Sequence, residues 1–114
     1  MSLGCAKPDH VNTLQTPISG LFLTEETSYG IGPVVSDYTR VYAHLQRNGH
    51  SRKIEILSGD DVSITGVSWA PHAAIICINE GGFTDTFRNN ITLIVGDTED
   101  AEERIHFTLQ DNCK

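Results

Sequence analysis

Five histidines are the side chains of this chain that most readily bind metals or carry protons near neutral pH. They are His10, His44, His50, His72 and His106. None of their spacings is typical of a pair of metal ligands on one element. Solvated or structural roles are therefore favoured, and the sequence predicts neither a metal nor another cofactor. Only a fold that joins distant strands would bring these histidines together.

Candidate nucleophiles lie in segments with strand character. Ser63, Ser68 and Cys77 lack the glycine-flanked turn that exposes a catalytic serine, and an apolar strand disfavours the thiolate that catalysis needs. The acidic segment 97–103 lacks the central glycine and the ligand spacing of an EF-hand calcium loop. We therefore expect a protein that is not an enzyme.

The charge balance restricts the class of partner. Eight basic residues stand against 15 acidic ones, which gives a net charge of −7. Nucleic-acid binding draws on clustered lysine and arginine, whereas the basic residues here are scattered, so neither nucleic acid nor an anionic membrane surface is favoured. A basic protein partner suits this charge. No apolar run approaches the roughly 20 residues of a membrane-spanning helix.

The amino terminus reads Leu3-Gly4-Cys5, which resembles the end of a bacterial lipobox. The resemblance covers three residues. It implies a small bacterial envelope lipoprotein with its signal removed, lipidated at Cys5 and held in the periplasm, so that it touches the membrane only through that lipid. The alternative is a cytoplasmic protein in which Cys5 lies on a frayed end.

Two further cysteines, Cys77 and Cys113, remain if Cys5 carries a lipid. A disulfide between them would tie the carboxyl terminus to the core. Closing so long a loop contributes on the order of 3–4 kcal/mol in the chain-entropy model. In an intracellular protein, Cys77 would instead be a small buried hydrophobic residue.

The most apolar stretch, from Val62 to Asn79, predicts the centre of the fold. Its alternation changes phase at Gly66, which indicates a β-bulge. After the break at 70–72, residues 73–78 are apolar on both faces and are expected to form a central strand covered on both sides.

The segment from Tyr38 to Ser58 predicts a hairpin. Apolar residues alternate on both sides of Asn48-Gly49, the pair preferred in two-residue hairpin turns. This register places Ala43 opposite Ile54, and Val41 opposite Ile56. A second hairpin is expected between residues 83–87 and 91–95.

Together these patterns predict an all-β protein, a small antiparallel β-sandwich or barrel of six to eight strands. Residues 1–16 have no apolar period and are expected to form a flexible tether, with a single β domain over residues 17–114.

Several exposed strand positions carry residue types that are enriched in protein interfaces. They are Tyr38, Arg40, Tyr42, His44 and Arg88. We therefore expect an exported, lipid-anchored domain that binds another envelope protein, as an inhibitor or immunity factor would. One alternative is an assembly module that offers an edge strand. The other is a carrier of a small ligand or metal.

Overall fold

The computed structural model describes residues 8–30, 37–47, 49–79, 82–94 and 102–111, although not the side chains of residues 47, 50, 90–94, 102 and 103. This part of the chain forms nine strands: β1 (His10–Gln15), β2 (Leu21–Ser28), β3 (Tyr38–Arg47), β4 (His50–Asp60), β5 (Ile64–Ala70), β6 (Ala73–Ile78), β7 (Phe83–Phe87), β8 (Asn90–Ile94) and β9 (Glu102–Asp111).

The strands form two sheets that share one core. The five-stranded sheet has the order β1-β2-β3-β4-β7, and the four-stranded sheet has the order β5-β6-β9-β8. Neighbours are antiparallel except for β6 and β9, which run parallel. The predicted all-β sandwich is confirmed. Its described part has nine strands rather than six to eight.

The additional strand is β1. The sequence predicts a flexible tether over residues 1–16, and this is wrong for residues 10–15. They pair with β2 in uninterrupted register, from His10 opposite Thr27 to Gln15 opposite Phe22. Five of the six side chains are exposed, so the strand is held by backbone pairing and has no alternating apolar pattern to reveal it. Residues 1–7 lie outside the described residues.

The β3–β4 hairpin forms as predicted, with one shift of register. Ala43 lies opposite Ile54, but Val41 lies opposite Leu57. The shift arises at a bulge beside Val41, which adds one residue to β4 and turns both Ile56 and Leu57 into the core. Gly49 has the positive φ of 75° that such a turn needs, whereas Asn48 lies outside the described residues.

The predicted central strand is β6, which lies between β5 and β9. The predicted bulge at Gly66 is confirmed as a shift of register between Ile64 and Gly66. The outer side of β6 is less covered than expected, because Ile75 is 38% exposed.

The predicted second hairpin does not form, because β7 and β8 belong to different sheets. Only Arg88 and Asn89 separate the two strands. The N–H of Arg88 donates to the carbonyl of Ile56 in β4, and the carbonyl of Asn89 accepts from Phe107 in β9. These two residues therefore carry the chain from one sheet to the other.

The core lies between the sheets. Leu23 and Val41 from one sheet meet Ile76 and Phe107 from the other, all at most 1% exposed. One charged side chain also turns inward. Glu25 is 8% exposed, and its Oε2 accepts a hydrogen bond of 2.6 Å from the N–H of Ile64 at the start of β5. This contact links the two sheets, and the amide–carboxylate bond compensates for burying both groups.

Candidate functional site

We call the face of the five-stranded sheet that turns away from the core the outer face. Side chains alternate along a strand, so the buried Val41, Ala43 and Leu45 of β3 point inward. The intervening residues Tyr38, Arg40, Tyr42 and His44 therefore lie together on the outer face, where Arg40 is exposed and the other three are half-buried. The structure brings together four of the five predicted binding residues.

Aromatic contacts hold one end of this group. The His44 ring stacks on the Phe22 ring of β2, with the ring centres 4.7 Å apart and the planes 1° from parallel. Tyr42 meets the same histidine edge-on, with the ring centres 6.4 Å apart. Thr24 Oγ1 lies within hydrogen-bond distance of His44 Nε2, at 2.8 Å. The three rings are therefore held in fixed positions before any partner binds.

Two ion pairs cross the same face. Arg40 Nε lies 3.7 Å from a carboxylate oxygen of Glu55, and Lys53 Nζ lies 3.4 Å from Glu26. The lysine ammonium also lies 4.1 Å from the centre of the Tyr42 ring. The side chains of Arg40, Lys53 and Glu55 are 57%, 52% and 40% exposed. Exposed pairs of this kind contribute about 0–1 kcal/mol to stability, so they stabilise the fold little.

The other end of the group borders a shallow depression of about 290 Å³, lined by Pro8, Glu26, Ser28, Tyr38 and Arg40. The guanidinium of Arg40 lies 5.3 Å from the centre of the Tyr38 ring, and the Tyr38 hydroxyl donates to Asp85 of β7 at 2.9 Å. Tyr38 is thereby fixed on both its ring and its hydroxyl.

Arg88, the fifth predicted residue, is exposed just beyond β7. Its backbone N–H pairs with Ile56. Within the described residues, no contact joins its side chain to the four residues on β3. The sequence prediction missed Phe22, Glu26 and Lys53 as members of the site. The predicted pairing of Ala43 with Ile54 also places Lys53 opposite His44, whereas the sequence of β2 has no signal for its pairing with β3.

The remaining histidines lie on four different elements, and two of them are neighbours, because the N–H of His106 donates to the carbonyl of His72 at 2.9 Å. His10 lies on β1, His72 in the β5–β6 turn, His106 on β9 and His50 at the start of β4. Within the described ranges, no three histidine, cysteine, aspartate or glutamate side chains form a group that could hold a metal ion. No helix in that part of the chain has the length and apolarity needed to cross a membrane.

The predicted cysteine sites are described only at Cys77. It lies in β6, is 5% exposed and stands opposite Gln110 of the parallel strand β9. The predicted lipidation site Cys5 and the predicted disulfide partner Cys113 lie outside the described residues.

Comparison with known proteins adds no assignment. No family model, no curated protein and no solved structure matches this chain. The outer face is therefore interpreted from its own chemistry.

The surroundings of the His44 ring change its affinity for a proton. Burial lowers the pKa of His44 below its usual value, the nearby ammonium of Lys53 lowers it further, and Glu26 opposes both effects. The neutral ring is thus the form that the folded state favours, in agreement with its stacking on Phe22 and its contact with Thr24.

This shift predicts a loss of stability in mild acid. The unfolded chain takes up a proton on His44 near pH 6.5, before the folded chain does, so the free energy of unfolding falls as the pH drops through and below about 6.5. In the variant His44→Gln this contribution is absent. In urea unfolding, we expect the free energy of unfolding of the wild type, relative to that of the variant, to fall between about pH 7.5 and about pH 5.5. The exposed His10→Gln is the control, and an equal change in that variant would contradict the assignment.

Proposed function

We propose that this domain is a non-enzymatic binding protein that docks a protein partner on its outer face around β3. The observation that carries the proposal is the cluster of Tyr38, Arg40, Tyr42 and His44, supported from the neighbouring strands by Phe22 and Lys53. It combines ring surface with charged groups that remain open to solvent. Tyrosine and arginine are the residue types that dominate binding energy in protein interfaces.

Preorganisation supports this function. Ordering flexible side chains costs about 0.5–1.5 kcal/mol for each one immobilised on binding. Here the stacked His44, the Tyr38 hydroxyl bond to Asp85 and the lysine over Tyr42 hold the side chains in place in the free protein. A partner that docks on this face loses less binding energy to ordering than it would on a loop surface.

We propose further that the domain is exported and anchored through a lipid on Cys5, with a disulfide between Cys77 and Cys113. Cys77 lies in β6 and is 5% exposed. It stands opposite Gln110, only three residues before Cys113 in the sequence. Disulfides persist in oxidising compartments such as the bacterial periplasm. The net charge of −7 favours a basic envelope protein as the partner.

Site-specific photo-crosslinking tests the docking face. A benzoylphenylalanine at Glu55 lies beside Arg40 and leaves the four β3 residues in place. The same group at Thr108, exposed on the four-stranded sheet, is the matched control. In intact envelopes, we expect one discrete protein adduct from position 55 and none from position 108.

A second substitution tests whether the adduct from position 55 depends on the docking face. Arg40→Ala in the position-55 protein should reduce the yield of adduct at least about fivefold, a loss of about 1 kcal/mol of binding. Arg104→Ala removes an exposed arginine from the other sheet and should leave the yield unchanged. Equal yields of adduct from positions 55 and 108, or a yield that Arg40→Ala leaves unchanged, would overturn the proposal.

Thiol counting tests the proposed disulfide. The chain produced without its lipid, oxidised and then denatured without reductant, should react with iodoacetamide at Cys5 alone, and peptide mapping should recover the Cys77 and Cys113 peptides as one species. Cys113→Ser should then expose the thiol of Cys77 and lower the free energy of unfolding by about 2–4 kcal/mol. Recovery of Cys77 bonded to Cys5 would contradict this pairing and remove Cys5 as the site of a lipid.

A further inference from the structure

Strand edges are a second surface of interest, because they expose backbone N–H and C=O groups that can pair with another chain. Four strands lie at the edges of the two sheets: β1, β7, β5 and β8. Natural proteins protect such edges with short length, charge, proline or bulges. The four edges differ in how much of this protection they carry.

Three of the edges are protected. β7 and β8 are each only five residues long, and β7 carries the exposed Asp85 and pairs with a bulged part of β4. β5 contains the bulge at Gly66 and is followed directly by Pro71. These devices disfavour regular pairing with another strand.

Over its own six residues β1 has no charge, proline or bulge, although Pro8 and Asp9 precede it and the N–H of Asp9 also donates to Thr27 of β2. Its sequence HVNTLQ holds no lysine, arginine, aspartate, glutamate or proline. Its register with β2 is uninterrupted over all six residues. Five of its side chains are exposed, and Val11 is 49% exposed on the outer face. Among the described strands, β1 pairs only with β2, so its other edge is a regular template with respect to that part of the chain.

We propose that β1 pairs antiparallel with β1 of a second copy of this chain, joining two five-stranded sheets into one sheet of ten strands. Two copies repel each other through their net charge of −7 each. Because β1 is uncharged, two copies of it can pair without placing like charges directly opposite each other.

Side-chain alternation fixes where the two-fold axis lies. Residues directly opposite in an antiparallel pair share a face, so a residue on the two-fold axis stands opposite its own copy. The two registers that pair the most residues of β1 place Asn12 or Thr13 on that axis. In either register, Val11 lies on the outer face beside a polar residue of the second copy. The two docking surfaces then stand on one continuous outer face. A partner with two binding sites would gain avidity from that arrangement.

Sedimentation equilibrium of the isolated chain tests this inference, and it requires no partner. Between about 1 µM and about 1 mM, the weight-average mass should rise from the 12.5 kDa of one chain toward twice that value. Val11→Lys/Thr13→Lys places lysines of the two copies opposite each other in both registers. It should weaken association at least about tenfold.

The matched control is Thr108→Lys/Gln110→Lys, which adds the same charge to exposed positions of β9 and should associate as wild type does. A chain that stays monomeric over the whole concentration range overturns the inference. The isolated chain would also stay monomeric if β1 paired with a strand of a different protein, so that alternative is an outcome that overturns it. Association that survives Val11→Lys/Thr13→Lys overturns it as well. Both readouts are independent of the crosslinking result, so this inference and the proposed docking function can fail separately.

Discussion

Replacing Phe107 with alanine is expected to lower the free energy of unfolding by about 3–5 kcal/mol. Phe107 is 1% exposed, and its ring meets the ring of Trp69 edge-on, with the ring centres 6.2 Å apart. Truncation removes this buried surface and leaves a cavity between the sheets. Small domains have a free energy of unfolding of about 5–15 kcal/mol, and the expected loss approaches the lower end of that range. Urea unfolding followed by far-ultraviolet circular dichroism measures it without relying on the fluorescence of Trp69.

Phe83→Ala is the matched control, because Phe83 is the same residue type at 74% exposure. Its free energy of unfolding should change by no more than about 0.5 kcal/mol. Similar losses in both variants would contradict the placement of the core. Since Phe83 and Phe107 both stand in alternating segments of the sequence, only the packing of the two sheets distinguishes them.

Local patterns account for the parts of the fold that could be predicted. The β3–β4 hairpin needs only alternation on either side of Asn48-Gly49, and the bulge at Gly66 shows as a change of phase within one strand. Pairing between distant segments has no such local signal. β1 is held by backbone bonds to β2, and the separation of β7 from β8 depends on which strand each meets across the fold.

The same division holds for the candidate site. Alternation along β3 is enough to place Tyr38, Arg40, Tyr42 and His44 on one face. It does not predict that Phe22 stacks on His44, because that contact depends on the register between β2 and β3. Nor does it exclude Arg88. That residue is exposed as predicted, but it follows β7, which is separated from β3 by β4. Glu25 is a stronger case, since a carboxylate directed into the core is explained only by the distant N–H of Ile64.

Substitution of Gly59 is expected to give the second large loss of stability. Gly59→Ala is expected to cost about 2–4 kcal/mol of unfolding free energy. A Cβ at Gly59 would collide with the backbone carbonyl oxygen of Phe83 and lie 2.7 Å from Val62 Cγ2. The carbonyl belongs to β7, which pairs with β4 on both sides of this point, so relief requires the two strands to separate.

The control for this prediction is Gly66→Ala, where a Cβ meets nothing within 4 Å. That variant should be neutral, or more stable by up to about 1 kcal/mol, because alanine restricts the unfolded chain. Adding Val62→Ala to Gly59→Ala should not restore stability, since the side chain is the lesser obstacle and the carbonyl remains. Gly66 lies within an apolar strand segment, whereas Gly59 stands in the polar stretch of residues 58–61. Only the approach of β7 to β4 makes the substitution at Gly59 costly. Equal stability of the two alanine variants in urea unfolding would show that this approach is looser than described.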